Sequence, residues 1–422
     1  MAQRGIREYD AKRMLAEYLP SFSEGEFEIH KKYALVTPDM SLDELAEENE
    51  WIKKERLVVK PDQLFGKRGK HGLILLNASF DEAKRWIDER MGSTVKIGNV
   101  EGKLTHFLVE PYIEHEKEYY VAIKDDREAD HIYFSTEGGI NIEENWEKVI
   151  AMDVPLDGSI EELDIEGKIS EMAGEDAKLI SHFIKSLYTF YRELHYTFLE
   201  INPFAVTADK KIVPLDMVAR LDDAASFWMA KKWGGVEFPA PFGRELTPEE
   251  KYIKELDEKS GASMKLTILN PNGRIWTMVA GGGASVIYAD TIVDLGYGEE
   301  LANYGEYSGN PTTDETYEYA KTILDLMTRD GQKGKILIIG GGIANFTDVA
   351  KTFTGIIKAL REYAEKLREN GIRIYVRRGG PNYEEGLKQM KALGEEIGVP
   401  IRVYGPELHM TRIVKIALEE DD

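Results

Sequence analysis

Residues 334–347 read Gly-Lys-Ile-Leu-Ile-Ile-Gly-Gly-Gly-Ile-Ala-Asn-Phe-Thr. Four consecutive apolar residues that run into three glycines are typical of a buried strand followed by a tight turn, and Asn345 to Thr347 predict the start of a helix. The glycines let the backbone approach a ligand closely, and the first N–H groups of a helix attract anions. The stretch therefore predicts an anion-binding cradle, which suits a nucleotide as well as a carboxylate.

The same order of strand, glycine turn and helix recurs through the second half of the chain. Apolar strands precede glycine at 274–279, 335–339, 373–376 and 401–404. This repetition predicts an α/β fold with a doubly wound parallel sheet, in which ligands bind at the carboxyl ends of the strands. The third strand ends in Arg377-Arg378, and two adjacent arginines near an Asn/Thr helix start suit a ligand with several carboxylates.

Composition excludes several classes of function. The 422 residues contain 54 Lys and Arg, 76 Asp and Glu, a net charge of −22 and no cysteine. Nucleic acid and anionic membranes are therefore poor partners, and disulfides and cysteine chemistry are excluded. With no leader and no apolar stretch long enough for a membrane span, the sequence indicates a cytoplasmic protein. The length predicts more than one domain, and a Pro/Gly-rich stretch at 234–250 predicts a boundary between domains 1–245 and 246–422.

The first half carries a candidate phosphate-binding loop. Lys60 ends a predicted strand and is followed by the basic turn Lys67-Arg68-Gly69-Lys70. Glycine and lysine in such a loop can lie over phosphates, although a solvated hairpin turn has the same composition. Further along, Glu110-Pro111-Tyr112-Ile113 and Glu118 follow another predicted strand, as a nucleotide-binding hinge would.

Two oxygen-bearing side chains predict a metal site. Asn202 and Asp216 lie about one hairpin apart, an arrangement that can bring Mg²⁺ ligands to the phosphates of a nucleotide. Turn formation at Asn202-Pro203 is the alternative reading of the same residues.

A second glycine run lies at Gly281-Gly282-Gly283 and opens a predicted helix. The bare N-terminus of this helix would hold a phosphoryl group or a phosphorylated side chain from elsewhere, or it would simply pack closely on the sheet. None of the eight histidines has metal-ligand spacing or stands in a glycine-rich loop. We therefore expect no covalent phosphoryl carrier, and no catalytic nucleophile, in this chain.

Several long motifs together carry a family resemblance. They are Val58–Asp62, Leu199–Pro203, Lys259–Ala262, Gly273–Gly283, Ala302–Gly309 and Gly340–Thr347. With these motifs the chain closely resembles the smaller subunit of a split ATP-citrate lyase, or of the related citryl-CoA synthetase. It is more distantly similar to the β-subunit of succinyl-CoA synthetase. The resemblance implies an ATP-grasp domain followed by a flavodoxin-like doubly wound domain that binds citrate.

The resemblance also implies roles for individual residues. ATP-binding positions are Lys60, Arg68, Gly69, Pro111, Ile113 and Glu118; metal-associated positions are Asn202, Asp216, Asp257, Ser260 and Ala262. Citrate-binding positions are Gly309, Asn345, Phe346, Thr347, Tyr363 and Arg378, and the helix start at Gly281, Gly282 and Gly283 receives a phosphohistidine from a partner.

The implied cofactors are Mg²⁺ and ATP as co-substrate, with CoA bound mainly by the partner. That partner is a larger subunit with the phosphohistidine, the CoA-ligase and the citrate-synthase-like lyase portions, so the resemblance implies a hetero-oligomer. Three alternatives stay open at this point: a citryl-CoA synthetase subunit, a succinyl-CoA synthetase-like dicarboxylate ligase, and a regulatory subunit that binds nucleotide or citrate without turnover.

Overall fold

The chain folds into two units, Met1–Glu245 and Leu246–Asp422. The computed structural model describes residues 3–139, 146–329 and 332–419 of them. No helix in these ranges is both long and apolar enough to cross a membrane.

The first unit combines seven helices with three sheets in its described residues. The helices are α1 (Glu8–Tyr18), α2 (Leu42–Glu48), α3 (Trp51–Lys54), α4 (Phe80–Arg90), α5 (Ile165–Ala173), α6 (Ala177–Glu193) and α7 (Ser226–Trp233). The strands are β1 (Gln3–Ile6), β2 (Glu28–Ile29), β3 (Ala34–Val36), β4 (Leu57–Pro61), β5 (Leu75–Ala78), β6 (Thr94–Ile97), β7 (Val100–Lys103), β8 (Phe107–Pro111), β9 (Glu118–Asp125), β10 (Ala129–Ser135), β11 (Ile150–Pro155), β12 (Tyr196–Val206), β13 (Lys211–Pro214) and β14 (Met217–Asp222).

The largest sheet has eight strands in the order β1-β14-β12-β9-β10-β11, with β13 and β2 attached at β12. Helices α1, α5 and α6 bury their apolar sides, including Met14, Ile169 and Phe183, in the same core as the sheet residues Val121 and Leu199. A second sheet, β3-β8-β4-β5, carries Lys60 at the end of β4. These two sheets supply the strands that surround the candidate nucleotide site.

One strand of this unit lies slightly later than the sequence predicts. The apolar run Leu73–Leu76 predicts a strand at those residues, but β5 covers Leu75–Ala78. Residues Gly69–His71 form a short 3₁₀ turn that ends at Gly72 with a left-handed backbone, φ 64°. This turn uses the residues before Leu73 and delays the strand.

The second unit is built around one six-stranded sheet. Its strands are β15 (Ser263–Ile268), β16 (Ile275–Ala280), β17 (Asn303–Ser308), β18 (Ile336–Gly341), β19 (Arg373–Arg377) and β20 (Ile401–Tyr404), in the order β15-β17-β16-β18-β19-β20. Its helices are α8 (Pro248–Lys259), α9 (Gly282–Ile292), α10 (Thr313–Thr328), α11 (Val349–Glu362), α12 (Ala364–Glu369), α13 (Tyr383–Ile397) and α14 (Arg412–Glu419). All neighbouring strands are parallel except β15 and β17, which confirms the predicted doubly wound sheet.

The apolar run in β18 explains why helices cover both faces of this sheet. Successive side chains of a strand point to opposite faces. Accordingly Leu337 and Ile339 belong to the core formed with α10, α11 and α13, whereas Ile336 and Ile338 belong to a separate core with α9 and α14. A strand buried on both sides needs a continuous apolar sequence, which is what these four residues provide.

The helix after β18 begins later than predicted. The expected start at Asn345 to Thr347 is wrong, because α11 begins at Val349 and is capped by Asp348, whose Oδ1 accepts a hydrogen bond from Lys351 N at 2.9 Å. The N–H of Val349 donates to Pro381 O at 3.0 Å. The first helical N–H groups are therefore already used within the protein, and Asn345 and Thr347 lie in the loop before the helix.

A half-buried histidine, His106, lies in a contact chain that joins Glu237, near the end of the first unit, to the start of β8. Arg7 Nη1 pairs with Glu237 Oε2 at 2.7 Å, and Arg7 Nη2 lies 3.2 Å from His106 Nε2. Because arginine has no acceptor, His106 Nε2 must accept this hydrogen bond from the neutral ring. Burial and the Arg7 charge lower the pKa of His106 to about 4.

This histidine predicts loss of stability on mild acidification. A folded-state pKa below the unfolded value means that the contribution is present above about pH 6.5 and is lost as the pH falls towards 4. We expect the urea midpoint to fall between pH 6.5 and 5 more steeply for the natural sequence than for His106→Gln, whose amide oxygen can still accept from Arg7. Parallel pH profiles for the two proteins would contradict this assignment.

Candidate functional site

One cavity of the first unit, of about 870 Å³, brings together eight residues singled out in the sequence. They are Lys60, Arg68, Gly69, Pro111, Ile113, Glu118, Asn202 and Asp216. They come from the ends of β4 and β8, the turn between β4 and β5, the start of β9, the middle of β12 and the turn between β13 and β14. The fold therefore gathers residues up to 156 positions apart, from Lys60 to Asp216, around one space.

Two basic residues of the cavity, Lys60 and Arg68, are buried against carboxylates. Lys60 Nζ lies 2.7 Å from Glu8 Oε1 and 3.0 Å from Glu110 Oε1. Burial alone lowers the pKa of Lys60, but Glu110 and Glu8 outweigh it and hold the pKa above the ordinary value. Arg68 Nη2 donates to Glu8 Oε2 at 2.6 Å and also pairs with Asp216. Both cations thus stay charged and in fixed positions at the cavity wall.

Two oxygen-bearing side chains of the same cavity, Asn202 and Asp216, are compatible with a nucleotide-bound metal. Asn202 Oδ1 accepts from Gly139 N at 2.7 Å, and Asn202 Nδ2 lies 3.4 Å from Glu200 Oε1. Burial raises the pKa of Asp216, against the effect of Arg68. The described residues contain no group of three or more acidic or histidine side chains able to hold a metal alone. Asn202 and Asp216 fit Mg²⁺ that is also held by phosphate oxygens and water.

The other predicted metal residues, Asp257, Ser260 and Ala262, form a closed turn after α8. Asp257 Oδ1 accepts from Met264 N at 2.7 Å, and its Oδ2 pairs with Lys265. Ser260 Oγ accepts from Ala262 N at 2.9 Å. A cation here would have to displace the Lys265 ammonium from Asp257, and the assignment of these three residues to a metal stays a prediction.

The adjacent arginines of the second unit have different surroundings. Arg377 donates to three backbone oxygens: Leu408 O at 2.9 Å, Gly341 O at 2.9 Å and Pro406 O at 3.3 Å. These bonds use three of the five N–H groups of its guanidinium and join the surrounding loops. A contact between Arg377 and the ligand stays a prediction.

Arg378 is the unusual member of the pair. It is 2% exposed, its Nη1 donates to Gly342 O at 3.2 Å, and its Nε is buried without a hydrogen-bond partner. No carboxylate among the described residues pairs with it, and burial lowers its pKa. The buried hydroxyl of Tyr307 also lacks a partner. A buried cation without a counter-ion is costly, which makes this the best candidate anion site in the second unit.

The loop between β18 and α11 lies beside Arg378. Ala344 N donates to Gly379 O at 3.0 Å, and Asn382 Nδ2 donates to Asp348 Oδ2 at 2.7 Å. Asn345 and Phe346 are exposed in this loop. Gly309, with φ 75°, follows the carboxyl end of β17. Since β16 to β19 are parallel, Gly309, Asn345, Phe346, Thr347 and Arg378 all lie at the same edge of the sheet.

The structure does not bring Tyr363 to this edge. Tyr363 follows the last residue of α11, and its hydroxyl lies 3.4 Å from Asp325 Oδ1. A helix rises 1.5 Å per residue, so α11 places Tyr363 about 20 Å from its own start. We therefore correct the assignment of Tyr363 as a citrate-binding residue.

The glycine run before α9 forms a helix start as predicted. Gly281 has φ 101° and precedes α9, which begins at Gly282. A Cβ on Gly282 would lie 2.9 Å from Glu306 Oε1, so a larger residue there would require the Glu306 side chain to shift. Sequence reasoning missed Glu306, whose carboxylate lies at this helix N-terminus and would have to move before a phosphoryl group could dock.

Sequence reasoning also missed Glu8, Lys12 and Asp62. Glu8 and Lys12 are buried on α1, and Asp62 is buried beside them. The four-residue spacing of Glu8 and Lys12 was the available signal, but it is equally typical of an exposed helical pair.

The fold and the cavity are typical of a class of two-unit proteins in which an ATP-grasp unit is followed by a doubly wound, acid-binding unit. Two family models match the two halves: the ATP-citrate synthase ATP-grasp domain over residues 2–233, and ATP citrate lyase citrate-binding over residues 244–420. The chain belongs to the ATP-citrate synthase (ATP-citrate lyase) family.

Similar proteins differ in length. The chain is 50% identical over 421 residues to ATP-citrate synthase alpha chain protein 1 of Arabidopsis thaliana, covering 99% of each. It is 49% identical to ATP-citrate synthase of Homo sapiens, covering 99% of this chain and 38% of that protein. Among solved structures, ATP citrate lyase from Methanothrix soehngenii in complex with citrate and coenzyme A matches with a TM-score of 0.90 and 57% identity, covering 99% of this chain and 100% of the other.

Proposed function

We propose that this chain is the ATP- and citrate-binding subunit of an ATP-citrate lyase, which activates citrate at the expense of ATP. The observation that carries the proposal is Arg378, a buried cation without a carboxylate partner among the described residues. Its position at the carboxyl edge of a parallel sheet is where such folds bind ligands. The citrate complex of the Methanothrix relative supports citrate as the anion.

In the first unit, Lys60 and Arg68 would contact the phosphates of ATP, with Gly69 beside them. The backbone at Pro111 and Ile113 would contact the adenine edge, and Glu118 the ribose hydroxyls. Asn202 and Asp216 would hold Mg²⁺, which offsets phosphate charge when bound. These side chains contribute charge and position, since the chain supplies no covalent nucleophile.

In the second unit, Arg378 would hold one citrate carboxylate, and a planar guanidinium can do so through two parallel hydrogen bonds. Asn345 and Thr347, which lie in the neighbouring loop, would contact the other polar groups, with Phe346 and the backbone of Gly309 beside them. Three carboxylates on the ligand match a site with one fixed cation and several polar neighbours.

The remaining steps would need a larger partner subunit. The γ-phosphoryl of ATP passes to a histidine nitrogen of that subunit and releases ADP; a citrate carboxylate oxygen then attacks phosphorus and releases the histidine. The CoA thiol, bound by the partner, displaces phosphate from citryl phosphate, and the partner cleaves citryl-CoA to acetyl-CoA and oxaloacetate. The helix start at Gly281, Gly282 and Gly283 would receive the phosphohistidine in a cytoplasmic hetero-oligomer.

Calorimetric titration of the isolated chain tests the proposal. We expect Mg²⁺-ATP and citrate each to bind, succinate and malate to bind more weakly, and acetyl-CoA to form only after the larger subunit is added. Citrate binding by the larger subunit alone would overturn the assignment. Citryl-CoA as the end product of the complex would instead identify a citryl-CoA synthetase.

A further inference from the structure

We propose that Glu8, on the first turn of α1, is a positioning residue that holds Lys60 and Arg68 for phosphoryl transfer, while Lys12 balances its charge so that ATP can still bind. The inference rests on the proposed function, because it assigns the nucleotide to the cavity beside these residues. Neither Glu8 nor Lys12 lines that cavity, so both act through the two cations that do.

The Glu8 carboxylate joins the two cations of the cavity. Its Oε1 lies 2.7 Å from Lys60 Nζ, and its Oε2 accepts from Arg68 Nη2 at 2.6 Å. Glu8 is 4% exposed. In the described residues it is the one side chain that pairs with both cations. Glu110 also holds Lys60, and Asp216 and the carbonyl of Pro61 also hold Arg68, but Glu8 is the carboxylate that links the position of one cation to that of the other.

Lys12 contacts the same carboxylates that hold Lys60. Its Nζ lies 2.8 Å from Glu8 Oε1 and 2.7 Å from Glu110 Oε2, and it is fully buried. The cluster then contains three cations, Lys12, Lys60 and Arg68, and four carboxyl groups, Glu8, Asp62, Glu110 and Asp216. Without Lys12 only two cations would face these four carboxyl groups, directly beside the phosphates of ATP. Lys12 thus offsets the negative charge of the carboxylates that hold Lys60, so that the cavity beside Lys60 still attracts the phosphates of ATP.

Asp62, which follows the strand that carries Lys60, also fixes the start of α1. Asp62 Oδ1 accepts from Glu8 N at 2.8 Å, and Asp62 Oδ2 accepts from Tyr9 N at 2.9 Å. Arg7, at the N-cap of α1, makes no side-chain capping bond, so Asp62 supplies the cap from a distant segment. The end of β4 therefore holds α1 in two ways: Asp62 binds the backbone at the start of the helix, and Lys60 binds the side chain of Glu8.

Substituting Glu8 and substituting Lys12 should change different kinetic constants: kcat for Glu8 and the KM for ATP for Lys12. Glu8→Gln makes the cluster more positive, so ATP should still bind, but the cations lose their shared anchor and we expect kcat to fall at least about tenfold. Lys12→Met makes the cluster more negative, so we expect the KM for ATP to rise about tenfold, with a smaller effect on kcat. The double variant Glu8→Gln/Lys12→Met restores the charge balance; its KM for ATP should return towards the natural value while kcat stays low.

The assay uses the complex assembled with the larger subunit, with the KM for citrate measured alongside. Glu17→Gln, an exposed change on the same helix, is the matched control and should leave every constant unchanged. Glu8→Asp keeps the charge but shortens the side chain, so it tests positioning should the amide variant fail to fold. An unchanged kcat in folded Glu8→Asp, or the same change in KM and kcat for Glu8→Gln and Lys12→Met, would overturn the inference. Absence of ATP binding by the natural chain would overturn the proposed function instead.

Discussion

Replacing Arg378 with methionine is expected to raise the KM for citrate at least about 100-fold while leaving the chain no less stable than the natural sequence. Two charge-assisted hydrogen bonds to a carboxylate, each contributing about 1.5–3 kcal/mol, account for the loss of affinity. Stability should not fall, because methionine removes a buried charge that has no carboxylate partner in the described residues. Steady-state kinetics of the assembled complex and thermal melts of the isolated chain measure the two effects.

The neighbouring arginine gives the control. Arg377→Met leaves the oxygens of Leu408, Gly341 and Pro406 without their donor, so we expect it to lower the free energy of unfolding by about 3 kcal/mol. Citrate should raise the melting temperature of the natural chain and of folded Arg377→Met, but not that of Arg378→Met. A citrate-dependent rise in Arg378→Met would show that citrate binds elsewhere.

Replacing Lys60 with methionine is expected to weaken the binding of Mg²⁺-ATP at least about 100-fold and to abolish acetyl-CoA formation by the complex. The variant removes a buried ammonium from the cavity; Glu110 then keeps only Lys12 among its ion-pair partners in the described residues, and Glu8 keeps Lys12 and Arg68. The phosphates would then meet net negative charge in a partly desolvated site, where it is weakly screened. Calorimetric titration with Mg²⁺-ATP measures the loss directly.

Lys70→Met is the matched control, because Lys70 belongs to the same basic turn but is exposed and does not line the cavity. It should bind Mg²⁺-ATP as the natural chain does. Citrate should still raise the melting temperature of Lys60→Met, which establishes that the variant is folded. Natural ATP affinity in a folded Lys60→Met would remove Lys60 from the nucleotide site.

Periodicity made most of the fold predictable from the sequence. The apolar run Ile336–Ile339 is typical of a buried strand, and it lies within β18. The helical periodicity of residues 176–195 likewise predicts a long helix, and α6 covers Ala177–Glu193. Boundaries failed where neighbouring residues offer the same local chemistry. Asn345, Thr347 and Asp348 are all good helix caps, and only the bond from Val349 N to Pro381 O, made across the fold, selects Asp348.

The candidate sites were predictable residue by residue, but their electrostatics were not. Motifs indicated Lys60, Arg68 and Asp216, yet the carboxylate that joins the two cations lies 52 positions from Lys60, at Glu8. Nothing local distinguishes Glu8 and Lys12 from an exposed helical pair. Tyr363 shows the opposite error. The family motif assigned it to the citrate site, but it follows the far end of α11, about 20 Å from the start of that helix.

The hydrogen bonds between the loop after β18 and the loop after β19 limit how this protein can diversify. Ala344 donates to Gly379, Val349 to Pro381, and Asn382 to Asp348, so the two loops present their side chains as one surface. A substitution in either loop alone would disturb contacts of the other. Related proteins that prefer a different acid should therefore differ from this chain in both loops at once.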